Sequence, residues 1–238
     1  MENLKSSYNF KDIEKKWQKK WEGKSCGTGI DFEIENLGGK ISNVLIVHGW
    51  CGTSDGNWFK WFKENYKDKY DIIIPDMPNS EKPKIDEWIC EIEKHKNKFN
   101  KNTILIGHSL GCPTICKFLE KNKIKIKKLI LVAPSPISYN KKDFEIIRKL
   151  KVPKESENSL KKYLEDLEIN FSECSTLVNE VVLYLSKDDP YVADYNYRLK
   201  EYALLTPEIK LFENKGHFNS ETGIIEFHEL LDVILNDK

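Results

Sequence analysis

The chain has 238 residues, enough for one large α/β domain, and 39% of them are hydrophobic, enough for a sizeable core. Lys+Arg and Asp+Glu both number 38, so the formal net charge is zero, which gives no electrostatic footprint for nucleic acid or for an anionic membrane. No apolar run follows the early lysines as a signal peptide would, and no stretch is long enough to span a bilayer. The cysteines Cys26, Cys51, Cys90, Cys112, Cys116 and Cys174 form no Cys-x-x-Cys pair. Cys112 and Cys116 lie four apart with no other metal-ligand spacing beside them, and reduced thiols in a cytoplasmic protein are the expectation.

Asn9 to Trp21 has helical spacing, with Phe10, Ile13, Trp17 and Trp21 on one face. An apolar stripe with two tryptophans predicts a contact surface, for self-association, for a protein partner or for packing on the main body. Gly23 to Gly29 reads as a linker, which sets residues 1–28 apart as a helical extension and 29–238 as the main domain. Phe32, Ile34 and Leu37 suggest an edge strand, turned by Gly38-Gly39.

From there strands and helices alternate. Val44–Val47 reads as a buried strand ending in His48-Gly49-Trp50-Cys51-Gly52, and Trp58, Trp61 and Phe62 begin a helix. Ile72–Ile74 is the next strand, and Ile85, Trp88, Ile89 and Ile92 mark a helix face. The apolar run Ile104–Ile106 then meets Gly107-His108-Ser109-Leu110-Gly111, and a helical pattern opens at Leu110. Leu129–Ala133 is the strand after it. Residues 135–175 carry no strand signal. Phe144, Ile147 and Leu150 suggest one helix there, and Leu160, Tyr163, Leu164 and Leu167 a cleaner one, so the segment is expected to be a small cap. Strands Val181–Leu185 and Ile209–Phe212 flank a helix near Tyr195–Leu205, and a last helix is expected from Ile224 to Leu235. This alternation predicts a mainly parallel sheet with helices on both faces.

Gly-x-Ser-x-Gly between a strand and a helix is the nucleophile elbow, with Ser109 at its tip beside a helix N-terminus. Chemistry in such sheets collects at the carboxyl ends of the strands. Those ends also carry Ser186-Lys187-Asp188-Asp189-Pro190 and Asn214-Lys215-Gly216-His217-Phe218, so the chain order is Ser, Asp, His. Serine needs an imidazole to take its proton, and the imidazole needs a carboxylate to fix its tautomer. Ser109, His217 and Asp189 are therefore the candidate catalytic residues, with Asp188 the alternative acid. Oxyanion stabilisation needs two N–H donors, assigned to the backbone of Leu110 and of Trp50, with Cys51 the alternate for the second. Trp50, Cys51 and His108 are candidate substrate-binding residues. His48 reads as loop support, His95 as solvated, and His228 as packed or solvated. Trp50, Trp58, Trp61 and Trp88 are candidates to line an acyl pocket, with Trp50 the best placed and each of the others reading individually as core.

Tyr8-Asn9-Phe10 through Trp21-Glu22 resembles the opening of leucyl- and valyl-tRNA synthetases, but the nucleotide-binding motifs of those enzymes are absent, so aminoacylation does not carry over. Over residues 43–236 the chain resembles the α/β-hydrolases, and within them the retinoblastoma-binding protein 9 / YdeN family. The residues that carry this are Asp76-Met77-Pro78, Ile106-Gly107-His108-Ser109, Asp188-Asp189-Pro190, Gly216-His217-Phe218 and Glu226-Phe227-His228-Glu229. The resemblance implies an α/β-hydrolase fold, Ser109, Asp189 and His217 as triad, and hydrolysis of a small carboxylic ester or related acyl bond without a cofactor. The N-terminal helix and the length of 135–175 depart from that family's smallest members. A protein-interaction module that keeps the fold without catalysis is the alternative.

Overall fold

A computed structural model describes residues 42–138 and 141–235, which fall within one compact unit. The expected N-terminal helix, the linker, the strand at Phe32–Leu37 and the Gly38-Gly39 turn lie outside the described residues. Six strands are present in the described residues: β1 (Asn43–Val47), β2 (Asp71–Ile73), β3 (Ile104–His108), β4 (Ile126–Val132), β5 (Val178–Ser186) and β6 (Glu208–Phe212). They form one parallel sheet in the order β2-β1-β3-β4-β5-β6. The described helices are α1 (Phe59–Tyr66), α2 (Ile85–Glu93), α3 (Gly111–Asn122), α4 (Lys141–Lys149), α5 (Lys154–Glu165), α6 (Phe171–Thr176), α7 (Tyr195–Glu201) and α8 (Glu229–Leu235).

The continuous apolar runs of the strands follow from burial on both faces. Successive side chains point to opposite sides. Leu45, Val47, Leu105, Leu129, Leu131 and Leu183 join a core with Trp88, Ile89, Ile115 and Phe118, from α2 and α3. Val44, Ile46, Ile104, Ile106, Ile130 and Val182 join a second core with Trp58, Phe59, Phe62 and Leu230, from α1 and α8 and the residue before α1. Trp58 and Trp88 are thus buried core residues.

The 135–175 segment holds three helices where the periodicity predicted two. The third, α6, spans six residues, too few to repeat an apolar pattern, and is set locally by the Asn170 side chain accepting from the Glu173 N–H. The helix expected near Tyr195–Leu205 breaks into α7 and a 3₁₀ turn at Ala203–Leu205 that ends at Thr206 with φ +49°. The last helix begins at Glu229 rather than Ile224. Asn219 and Thr222 form a capping box around Ser220–Thr222, Gly223 closes it at φ +85°, and Phe227 is used to fill the second core. His95 lies past the end of α2, at the start of the 3₁₀ turn Lys96–Lys98. His228 precedes α8, exposed, with its ring edge-on to Trp61.

Candidate active site

All six strands run the same way, so the loops after β1, β3, β5 and β6 converge on one edge of the sheet. The strand order reverses direction between β1 and β3, the crevice where open α/β sheets bind ligands. Ser109 follows β3 there, at φ +53°, a left-handed conformation that costs a non-glycine residue energy and must be imposed by its surroundings. Its N–H donates to the Val132 carbonyl at 2.9 Å, and its own carbonyl accepts from Cys112 and Ser135, both at 3.1 Å.

The flanking glycines are required by close approach. A Cβ on Gly107 would stand 2.6 Å from the Cys112 Cα, and one on Gly111 would stand 2.1 Å from the Val47 carbonyl oxygen. α3 therefore starts hard against β1, and its first turn, with Pro113 in it, lies directly behind Ser109. Gly49 belongs to the same constraint, since a Cβ there would come within 2.7 Å of the Ser109 Cβ.

Asp189 lies after β5 and His217 after β6. Asp189 Oδ2 is 2.8 Å from His217 Nδ1, and its Oδ1 accepts from the Tyr191 N–H at 2.9 Å. Both side chains are almost fully buried. Asp188 faces elsewhere. Its Oδ1 accepts from the Ser186 hydroxyl at 2.5 Å and from the Gly216 N–H at 2.9 Å, while Ser186 Oγ accepts from the Lys215 N–H at 2.9 Å. Partial burial works to raise the Asp188 carboxyl, but these hydrogen bonds outweigh it and hold the group below the ordinary aspartate value.

The other histidines are tied to the backbone. His48 Nε2 accepts from the Met77 N–H at 3.0 Å, so its proton sits on Nδ1, which donates to the Gly49 carbonyl at 2.8 Å. Burial pushes its pKa down. His48 thus pins the end of β1 to the loop after β2. His108 Nε2 is 2.8 Å from the His217 carbonyl and donates to it, while its Nδ1 is buried without a partner. Burial, with His217 beside it, pushes its pKa down to about 3. His108 and His217 meet edge to face at 5.1 Å between ring centres. The Trp58 indole N–H donates to the Phe218 carbonyl at 3.1 Å, so the His217 loop is held from the second core, from His108 at the end of β3 and from the loop after β5.

These elements border a cavity of about 570 Å³, within the range of small-molecule sites. Ser109, Leu110, His217, Trp50, Cys51 and His108 all line it. The Cys51 N–H donates to the Ser80 carbonyl at 2.9 Å, so that donor of the loop after β1 is already engaged. The Cys51 thiol is pushed up to about 11, by burial first and then by the carboxylates of Glu81 and Glu221. Ile147, Leu150, Val152, Leu160 and Leu164 form the apolar wall, so the 135–175 segment reaches the cavity through α4, α5 and the turn between them. Tyr163 turns away from it, sharing a 2.6 Å hydrogen bond with Thr114 on α3 and an edge contact with Trp88.

Several cavity residues carried no sequence signal. Asn57, Asn219, Ser220, Glu221 and Tyr191 come from loops without periodicity. Arg198 is fully buried and pairs with Asp143 and, at 2.6 Å, with Glu201, which joins α7 to α4. Arg198 sits in a short helix of mixed polarity, where nothing distinguishes it from a surface cation. Among the described residues no cluster of three or more His, Cys, Asp or Glu gathers as metal ligands, and no helix is long and apolar enough to cross a membrane.

A serine at a strained strand-to-helix turn, with a histidine–aspartate pair on later strand ends of a parallel sheet, defines the α/β-hydrolase class. Residues 44–236 match the serine hydrolase family, and the chain belongs to it. Within that class it is similar to the hydrolase YdeN of Bacillus subtilis (strain 168), at 35% identity over 83 residues. That sequence match spans 34% of this chain and 44% of the relative, less than half of its length. The crystal structure of the ydeN gene product from B. subtilis superposes with a TM-score of 0.68 at 22% identity, over 82% of this chain and 97% of that one. The naproxen esterase of B. subtilis superposes at 0.52 and 13% identity, over 82% and 84% of the two chains. A meta-cleavage product hydrolase from Pseudomonas fluorescens IP01 gives 0.59 and 14%, over 83% and 92%. At these identities the structural likenesses establish the fold, which is the YdeN-type α/β-hydrolase fold, and the family establishes a hydrolase.

Proposed function

We propose that the chain hydrolyses a carboxylic ester or related acyl bond through Ser109, His217 and Asp189. The observation that carries this reading is the 2.8 Å contact between Asp189 Oδ2 and His217 Nδ1, in a cavity that Ser109 also lines. Asp189 holds the Nδ1 proton, so Nε2 is left as the base. Nε2 takes the Ser109 proton as Oγ attacks the substrate carbonyl, and the oxyanion is met by the N–H groups of Leu110 and Trp50. The tetrahedral adduct collapses, the imidazolium returns its proton to the departing alcohol, and an acyl-serine remains. Water, deprotonated by the same Nε2, then attacks the acyl-serine. The acid is released and Ser109 Oγ regains its proton.

The neutral, immobilised His108 fits this scheme. It supports the His217 backbone without placing a second positive charge beside the imidazolium formed in the reaction. The test is labelling with a fluorophosphonate probe and mapping of the adduct. Ser109 is expected to carry it, and Ser109→Ala to abolish it with the fold intact. An adduct on another serine, or no labelling of the folded protein, overturns the reading and favours a non-catalytic role.

A further inference from the structure

The cavity has two chemically different ends. One end is apolar: Ile147, Leu150, Val152, Leu160 and Leu164 converge there, and Leu150 keeps 47% of its surface exposed although it belongs to this wall. The other end is the mouth beside His217, made by Tyr191, Asn57, Asn219, Ser220 and Glu221. Tyr191 stands edge-on to the His217 ring at 4.8 Å and gives its hydroxyl proton to Glu221, so a carboxylate lies one side chain away from the base.

The charges on this wall are unbalanced. Its charged residues among those described are Asp143, Arg198 and Glu221. The Arg198 guanidinium is fully buried and its charge is already shared between Asp143 and Glu201 through its two terminal nitrogens, while its Nε has no hydrogen-bond partner among the described residues, so the cation is balanced without being fully hydrogen-bonded. No lysine lines the cavity, in a chain with 38 Lys and Arg residues. Glu221 stands opposite no cation on this wall, and it and Glu81 both act on the Cys51 thiol across the mouth. Glu221 places a negative charge on the lining of the mouth, and a substrate group bearing a negative charge there would meet it with no lysine among the lining residues to offset it.

Building on the hydrolase reading above, we propose that the substrate is an ester with an apolar acyl arm, seated against α4 and α5, and a neutral or cationic leaving group at the Glu221–Tyr191 mouth, and that anionic esters are rejected. Glu221 is then a specificity-determining residue of the site. Cationic and anionic leaving groups should differ on the order of tenfold in kcat/KM at low salt, a gap that salt closes because the mouth is open to solvent.

The experiment compares three hexanoate esters of similar size: hexanoylcholine, its neutral isostere 3,3-dimethylbutyl hexanoate, and the hexanoyl ester of 3-hydroxypropionate. The first two should be cleaved faster than the third. Glu221→Gln should shrink the cation-to-anion ratio at least threefold. Equal rates for the anionic and neutral esters, or a ratio unchanged by Glu221→Gln, overturns the proposal. A second measurement does not depend on turnover: calorimetric binding to the Ser109→Ala protein of two non-hydrolysable ethers that carry their charge on the leaving-group side, the hexyl ether of choline as the cation and 3-hexyloxypropionate as the anion. Tighter binding of the cation supports the proposal, and equal or reversed affinities overturn it. Failure of Ser109 to label with the probe would defeat the hydrolase reading instead, and the binding contrast would still decide the charge preference of the cavity.

Discussion

The Asp188 carboxylate and the Gly216 N–H meet at 2.9 Å across the ends of β5 and β6. Adjacent aspartates in one loop therefore do two jobs: Asp188 fastens the histidine loop, and Asp189 faces the imidazole of that loop. In Asp189→Asn, the amide oxygen would keep the bond from the Tyr191 N–H and turn its NH₂ toward His217. That forces the proton onto Nε2, where it cannot accept from serine. Turnover should fall by up to ~10⁴ with little change in stability. Asp188→Ala should cost less, on the order of 10²-fold, by letting the His217 loop drift. Steady-state kinetics on both variants decide the matter, and the reverse order would make Asp188 the triad acid.

The sheet was legible because each strand is a short apolar run buried on both sides and bounded by turn residues. The expected Leu129–Ala133 became Ile126–Val132 by the extension of ladder pairing over polar residues, such as Lys128 opposite Glu180. The elbow and the two later strand ends were legible because few residue types allow a tight turn, take a proton or fix a tautomer. The polar mouth of the cavity was not. Asn57 and Glu221 are chosen by where loops cross, and a loop's course leaves no period in the sequence. The two aspartates show the same limit from the other side: the sequence placed both at the strand end, the family resemblance pointed to Asp189, and the structure gives the two carboxylates different partners.

The apolar wall gives a prediction about chain length. Each methylene buried is worth ~0.8 kcal/mol, about fourfold in kcat/KM, until the arm is full. Leu150 is half exposed, so Leu150→Asp should leave the melting temperature within a few degrees while flattening the dependence on acyl length. The check is a series of esters from acetyl to octanoyl. An unchanged series would remove α4 and the turn after it from the substrate site. Leu164 is a less clean probe, because it is buried and shared with the main core.

His108 sets a pH dependence of stability. Its folded pKa, about 3, lies below the unfolded value of about 6.5, so the unfolded chain binds the proton first as pH falls. Above about pH 6.5 both states hold His108 neutral and it contributes no pH dependence. Between that value and about 3 it progressively favours unfolding. His108→Gln keeps an N–H able to reach the His217 carbonyl and removes the titration. Urea melts at pH 7 and pH 4.5 should show a larger acid loss in the parent than in the variant. His48, also pushed down by burial, acts in both proteins and cancels. Equal losses would mean that His108 does not titrate with unfolding in this range.

Gly49 separates the geometry of the nucleophile from the stability of the fold. A methyl group added there would press within 2.7 Å of the Ser109 Cβ and 3.2 Å of its Oγ, so one of the two must move. Gly49 has no positive φ that would penalise alanine, and the residue is buried at the carboxyl end of β1, with the Ser109 side chain nearest to it. The strain therefore falls on the serine side chain and on the loop that carries the Trp50 N–H. A displacement of roughly 1 Å in the reacting atoms is worth on the order of 10² in rate. Gly49→Ala should lower kcat and probe-labelling rate by about that factor. It should shift the unfolding midpoint much less than Gly111→Ala, whose methyl would stand 2.1 Å from the Val47 carbonyl oxygen within the packed α3–β1 contact. Paired labelling rates and denaturant midpoints for the two variants measure this. If Gly49→Ala labels at the parent rate, the serine and the loop after β1 are not coupled through this contact.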